Sequence, residues 1–156
     1  DKQWDLALRD RTGKLQTLRQ LSQHHPVLLV HLWASWCPPC VEELPEVVAV
    51  ANALQGSTCA MVGVSYDDDD AAADALLQRA RVGSGGVWLR DPQGQSGDEG
   101  QMLRTALGTD KLPETWVIQD GQVMARLVAG QKWSQPRLQR VLSALCRPQR
   151  PAPGGP

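Results

Sequence analysis

The sequence predicts an α/β domain whose central sheet mixes parallel and antiparallel strands. Two apolar runs, Val27-Leu28-Leu29-Val30 and Cys59 to Ser65, have strand length. Between them Val41, Leu44, Val48 and Ala51 recur at helical spacing, so a strand–helix–strand unit makes the two runs parallel neighbours. Later, Thr115 to Ile118 and Val123 to Val128 flank Asp120-Gly121, a pair suited to the positive φ angles of a type I′ hairpin turn. With 156 residues, 42% of them hydrophobic and 21% charged, the chain is long enough for one domain with a sizeable core. A net charge of -1 offers no electrostatic attraction to nucleic acid or an anionic membrane, so no nucleic-acid partner is expected. No apolar run approaches the ~20 residues that span a bilayer. Phenylalanine is absent while tryptophan occurs six times, so tryptophan must carry most of the aromatic packing.

Taken in order, Trp4 to Leu8 alternates like a half-buried strand, Asp10-Arg11-Thr12-Gly13 reads as a turn, and Lys14 to Thr17 returns as a second strand. Leu18 to His25 is a short connecting helix or loop. His24 and His25 border Pro26 with no acidic or thiol neighbour in sequence, which reads as a solvated pair rather than a metal site.

Next comes Trp33-Ala34-Ser35-Trp36-Cys37-Pro38-Pro39-Cys40, placed where the first buried strand turns into a helix. A thiol in the first turn of a helix meets the positive end of the helix dipole, which favours thiolate over thiol. Cys37, at the helix start, is the expected nucleophile, and Cys40, one turn inside, the covered resolving thiol. Pro38 and Pro39 stiffen the turn where helical N–H groups are unpaired in any case. Such a dithiol can attack a disulfide, form a mixed disulfide and release itself by internal closure. The plainer readings are a structural bridge or half of a zinc site. A zinc ribbon needs a second ligand pair at short spacing, which the isolated Cys59 and Cys146 do not supply, so no metal is expected. A purely structural bridge over so short a loop gains little from loop entropy.

The motif helix is expected to run to about Leu54, kinked by Pro45, with Gly56 as its left-handed cap. Asp67 to Asp70 precede a helix over Ala71 to Arg81. The acidic run lacks the spacing and glycine of a calcium loop and is read as helix capping. Gly83-Ser84-Gly85-Gly86 reads as a flexible joint, Val87 to Leu89 as a short strand, Asp91 to Gly100 as a polar loop and Gln101 to Leu107 as a brief helix. This glycine-rich region is the place expected for mobility or a partner contact. Pro113 reads as a strand-start proline. Ser134 is expected to cap a final helix with Pro136 in its first turn and Leu138, Val141, Leu142 and Leu145 as its buried stripe. The organisation is a domain over residues 1–146 and a loose proline- and glycine-rich tail over 147–156.

Trp36-Cys37-Pro38-Pro39-Cys40 after a strand, followed by Glu43 and Pro45, resembles the TlpA/ResA-type branch of the thioredoxin-like proteins. Asp91-Pro92-Gln93-Gly94, Leu112-Pro113-Glu114-Thr115-Trp116, Asp120-Gly121 and Gly130 fall in the order of that family. The likeness covers about residues 4 to 146 and departs between Gly83 and Gly108, where this chain is longer and richer in glycine. It implies a thioredoxin-like fold, with helices on both faces of a mixed sheet and an N-terminal β-hairpin extension. It also implies an extracytoplasmic thiol–disulfide oxidoreductase, above all a reductase of protein disulfides, with no cofactor beyond the Cys37–Cys40 couple. A membrane thiol donor would keep it reduced, and the relatives act on oxidised apocytochrome c or copper-site proteins. The chain is expected to be a monomer, periplasmic or membrane-anchored facing the periplasm. Its start at Asp1 reads as a mature or trimmed form whose signal or anchor is gone.

By the same resemblance Pro113 is cis and packs on the dithiol, and Leu112 offers its backbone to an extended substrate. Trp36, Pro38 and Pro39 join them as the substrate-binding surface. Glu43, three residues past Cys40, matches a glutamate that tunes the dithiol, with a solvated helix-face residue as the plain alternative. His31 occupies the place of the buried aspartate of thioredoxins and could accept a proton from Cys40; the alternative is a core histidine bonded to backbone. In that topology Cys59 and Cys146 come to the end of the molecule away from the motif, which predicts a disulfide between them, against two separate buried thiols. Two other classes remain. A copper chaperone would use Cys37, Cys40 and a histidine as soft ligands, and no histidine follows His31. A peroxiredoxin-like peroxidase usually carries a threonine three residues before its cysteine, where this chain has Ala34.

Overall fold

The computed structural model describes residues 2–149. In chain order its strands are β1 (Leu8–Asp10), β2 (Leu15–Gln16), β3 (Val27–Trp33), β4 (Cys59–Ser65), β5 (Val87–Arg90), β6 (Glu114–Gln119) and β7 (Gln122–Val128). The helices are α1 (Leu18–Ser22), α2 (Pro38–Ala53), α3 (Ala71–Arg79), α4 (Leu103–Leu107) and α5 (Pro136–Leu145). The strands form one sheet in the order β2-β1-β5-β4-β3-β6-β7. β3 pairs parallel with β4 and antiparallel with β6, so the sheet is mixed as expected. Every residue of β3 and β4 is buried, which requires cover on both faces of the sheet and explains why these runs read as continuously apolar. At the β6–β7 hairpin Asp120 and Gly121 have φ of 51° and 77°, the geometry anticipated for that pair.

The N-terminal hairpin is displaced from its expected position. Lys2–Trp4 is a single 3-10 turn and the first strand begins only at Leu8. The Asp5 N–H bonds to the Lys2 carbonyl and its carboxylate pairs with Arg19, which bends the chain where alternation alone suggested extension. The turn itself falls where expected: Asp10 Oδ1 accepts from the Thr12 and Lys14 N–H groups. Segment 18–25 begins as helix α1, opened by a reciprocal Thr17–Gln20 capping box.

The glycine-rich region is held by close packing. Gly85 lies on the Ala51 backbone, where a Cβ would overlap the carbonyl oxygen, and the Gly83 N–H donates to Asn52 Oδ1. Glycine there permits contact with the end of α2 rather than freedom. The polar loop is likewise pinned, because buried Asp91 accepts from the Gln93 and Leu103 N–H groups and so caps α4 from a distance in sequence.

The acidic run departs from the capping expectation. Only Asp69 accepts from the start of α3, through the Ala71 N–H, while Asp70 pairs with Arg90, Asp68 accepts from Gln95, and Asp67 is buried against Ser35 and Ser65. At α5 the first-turn proline is Pro136, but Ser134 makes no cap and turns to Glu46 instead. Of the expected stripe Leu142 is buried, Leu138 and Leu145 are half-buried, and Val141 is exposed. Residues 147–149 are not loose. The Thr58 N–H donates to the Arg147 carbonyl, the Gln149 N–H to the Gly56 carbonyl, and Ser57 bridges Pro148. The remainder of the expected tail, 150–156, lies outside the described residues.

Candidate active site

β3 delivers the chain to the motif. After Trp33, Ala34 to Trp36 make a turn closed by the Cys37 N–H on the Ala34 carbonyl at 3.3 Å, and Cys37 becomes the N-cap of α2. Pro38 and Pro39 fill the first helical positions and have no N–H, so Cys40 supplies the first backbone N–H of the helix. The approach is held by buried Asp67, two residues past the end of β4. It accepts from the Ser35 N–H at 3.1 Å and from the Ser35 hydroxyl, and from Ser65 Oγ at 2.5 Å. The sequence offered no local sign of this tether, because Ser35 and Asp67 are far apart in the chain.

Cys37 and Cys40 are joined as a disulfide with Cα atoms 5.2 Å apart. Cys37 is 7% exposed and Cys40 fully buried. Around Cys37 stand the exposed Trp36, Pro38 and Pro39, with the Trp36 indole N–H on the Tyr66 carbonyl at 3.4 Å. The loop before β6 completes this surface. Its Leu112–Pro113 peptide is cis, and the Leu112 carbonyl oxygen lies 3.6 Å from Cys37 Sγ. Cys37, Cys40, Trp36, Pro38, Pro39, Leu112 and Pro113 therefore gather at one end of the sheet.

Glu43 and His31 form a second group behind them. Glu43, on α2 one turn past Cys40, is 6% exposed, so it is not a solvated helix-face residue. Its Oε2 accepts from the Gln131 N–H at 2.7 Å and from the Trp133 indole N–H at 2.9 Å. Burial pushes the Glu43 carboxyl up from its ordinary value, more than those two donors pull it down. His31, fully buried on β3, faces it with Nε2 3.5 Å from Glu43 Oε1. Its Nδ1 pairs with Thr115 Oγ1 of β6 at 2.8 Å, a side-chain partner rather than the backbone one considered from sequence. Desolvation drives the imidazole down to about 3, so near neutral pH the ring is uncharged and the pair is not an ion pair. Beside it an open groove of about 490 Å³ runs past Pro39, Glu42, Glu43, Glu46, Gly130 and Lys132.

Sequence reasoning missed Gln131, Trp133 and Glu46. The Trp133 N–H donates to Glu46 Oε2 and the Ser134 hydroxyl to Glu46 Oε1, both at 2.9 Å. The segment before α5 thus grips two carboxylates of α2. The available signal was the surplus of tryptophan in a chain without phenylalanine, which says that a tryptophan is buried but not where.

Cys59 and Cys146 form a second disulfide, also with Cα atoms 5.2 Å apart, across a separation of 87 residues. It lies at the start of β4, the end of that strand away from the motif. Among the described residues no group of three or more His, Cys, Asp or Glu side chains is disposed to hold a metal ion, and no helix is long and apolar enough to cross a membrane.

The profile of the AhpC/TSA family matches residues 1–126. The chain is 32% identical over 103 residues to a thiol:disulfide interchange protein DsbE of Pseudomonas aeruginosa, covering 65% of this chain and 50% of that protein. A DsbE of Pasteurella multocida is 33% identical over 117 residues, covering 74% of this chain and 57% of its own length. The chain therefore spans about half the length of the curated relatives it matches. Among solved structures, that of a thiol:disulfide interchange protein DsbE from Chlorobium tepidum superposes with a TM-score of 0.66 at 27% identity, over 93% of this chain and 96% of that one. The thioredoxin-like fold and the resemblance drawn from the motif order both hold.

Proposed function

The chain belongs to the AhpC/TSA family, and from that premise we propose that it is a thiol–disulfide oxidoreductase that reduces disulfides of other proteins. The observation that carries this reading is a buried Cys37 at the N-terminus of α2 with the Leu112 carbonyl oxygen 3.6 Å from its sulfur, beside an exposed apolar surface. The Cys37 thiolate attacks one sulfur of a substrate disulfide; that S–S bond breaks, and the departing sulfur takes a proton from water. Cys40 then loses its proton to the buried Glu43 carboxylate and attacks Cys37 Sγ. The second substrate sulfur leaves, and the two electrons of the dithiol have passed to the substrate. Trp36, Pro38, Pro39, Leu112 and Pro113 form the platform on which an extended segment lies, its backbone directed to Leu112.

The reducing direction rests on charge. α2 sets carboxyls next to the dithiol, Glu42 and Glu43, with Glu46 one turn on, and negative charge there disfavours the stable thiolate that a strong oxidant needs. A membrane thiol donor outside the cytoplasm would restore the dithiol, and the chain would act as a monomer. His31 has Nδ1 on Thr115 and turns Nε2 to Glu43, so neither nitrogen is directed to copper held between Cys37 and Cys40. Buried Ala34 offers no hydroxyl for peroxide chemistry.

Equilibration of the Cys37–Cys40 couple in a glutathione or thioredoxin redox buffer tests the direction. A reduction potential at or below roughly -270 mV is expected, and a value near about -120 mV would make the protein a disulfide donor and reverse the part given to Glu43.

A further inference from the structure

The carboxyl of Glu43 is held unevenly. On Oε2 it has two donors, the Gln131 N–H and the Trp133 indole N–H. On Oε1 it has no hydrogen-bond partner, and the atom facing it, His31 Nε2, has none either. Two unpartnered polar atoms 3.5 Å apart in a buried site are costly unless a proton lies between them, and a small turn of the carboxyl closes the gap. Thr115 determines where that proton can be. Its hydroxyl either donates to His31 Nδ1, which leaves the ring hydrogen on Nε2 to donate to a Glu43 carboxylate, or accepts from Nδ1–H, which leaves Nε2 free to accept from a protonated Glu43. The two arrangements differ by one proton, and in each every polar atom has a partner.

We infer that Trp133 and His31 are positioning residues, which hold the Glu43 carboxyl from opposite sides so that it takes up and returns one proton without leaving a buried polar atom unpaired. Trp133 is 1% exposed and fixes one side; its own N–H on Glu46 and the Gln139 amide on its carbonyl fix the indole in turn. His31 with Thr115 is the adaptable side, changing tautomer as the carboxyl changes charge. The titratable and charged groups facing this carboxyl are His31 from β3, the Cys37–Cys40 couple together with Glu42 and Glu46 from α2, and Lys132, which lines the same groove from the segment before α5. The groove gives the proton its route to water. That the proton serves the dithiol rests on the function proposed above; the hydrogen-bonded arrangement does not.

The test uses the oxidised protein, in which neither Cys37 nor Cys40 titrates. The 13C resonance of the Glu43 carboxyl, identified by its loss in Glu43→Gln, is followed against pH together with the 15N resonances of the His31 ring. The expected result is one shared midpoint, with His31 exchanging one neutral tautomer for the other as Glu43 ionises. Trp133→Phe, which removes a donor to the carboxylate, should raise that midpoint by about one pH unit. A tautomer that stays constant through the Glu43 titration overturns the inference, and so does an unchanged midpoint in folded Trp133→Phe. The wild-type measurement decides the matter if that variant does not fold. In the reduced protein the acid limb of the mixed-disulfide resolution rate should follow the midpoint upward. If the carboxyl shifts and the rate does not, the positioning stands and the use of Glu43 by the dithiol fails.

Discussion

The two disulfides stand at opposite ends of the same pair of strands. β3 and β4 run in register from Val27 beside Cys59 to Trp33 beside Ser65. Cys59–Cys146 ties the start of β4 to the end of α5, and Cys37–Cys40 follows the end of β3. The bonds span Cα distances that are the same, 5.2 Å, but sequence separations of 87 and 3. The contacts around Cys59 are main chain and hydroxyl: Ser57 Oγ accepts its N–H, and Thr58 pairs with Arg147 through backbone and side chain. The contacts around Cys37 and Cys40 are a helix N-terminus, the Leu112 carbonyl, an exposed tryptophan and a buried carboxyl–imidazole pair. The long-range bond restricts the unfolded chain most; the short one sits in the surroundings on which the proposed exchange chemistry rests.

The largest effect that separates the two ends is on turnover. Cys37→Ser is expected to abolish reduction of a model protein disulfide, while Cys40→Ser accumulates a mixed disulfide visible by mass spectrometry. The double replacement Cys59→Ser with Cys146→Ser should retain turnover at temperatures where it is folded. Loss of activity in that pair, with the fold intact by circular dichroism, would break the distinction.

Stability should give the reverse order. In the chain-entropy treatment the long bridge contributes about 4–5 kcal/mol and one closing so few residues as Cys37–Cys40 about 2 kcal/mol. Urea unfolding of Cys37→Ser and of the Cys59→Ser, Cys146→Ser double replacement, each against the oxidised protein, measures both. An equal loss in each would show that loop length is not what distinguishes them.

The smallest effect, read per pH unit, concerns the buried pair at the active end. His31 falls from 6.5 to about 3 on folding. Below pH 6.5 the unfolded chain binds a proton there that the native protein refuses, so the stabilisation present above that value is lost as pH falls towards 3. One proton corresponds to a slope of about 1.4 kcal/mol per pH unit. Glu43 acts with opposite sign: its raised carboxyl stabilises below its ordinary value of 4.5, and this is lost as pH rises through its folded value. His31→Asn should therefore flatten the acid side of the stability–pH curve and Glu43→Gln should steepen it. Chemical denaturation between pH 3 and 7 distinguishes the two, and parallel curves for wild type and His31→Asn would place the acid sensitivity elsewhere.

Much of the active end was legible in the sequence because its signals are local. A buried run, a turn, two cysteines three apart and a helical apolar spacing lie within one stretch, and each follows from backbone sterics or periodicity over a few residues. Glu43 stood out by its spacing from Cys40 within the same helix. The partners that define its environment did not. Gln131 and Trp133 lie 88 and 90 residues away in sequence and carry no motif. Aspartates before a helix usually cap it, which is what the spacing of Asp67 suggests, but its carboxylate serves Ser35 beyond the end of the neighbouring strand. Ser134 and Val141 were misplaced for the same reason: a cap and a stripe read from spacing assume that the neighbouring element lies where the helix alone would put it.

The sequence by itself determined the strand–helix setting of Cys37 and Cys40, the parallel core pair, the late hairpin and, through the resemblance its motifs carry, the fold. These depend on rotamers, φ preferences and apolar periods, which act between residues close in the chain. Only the tertiary structure decided that Glu43 is buried, that Trp133 donates to one of its oxygens while His31 faces the other, and that Gly83 and Gly85 pack on the end of α2. Burial and hydrogen-bond partnership are properties of the whole packed chain, because the energy of a carboxyl depends on which distant groups the fold brings within a few ångströms of it.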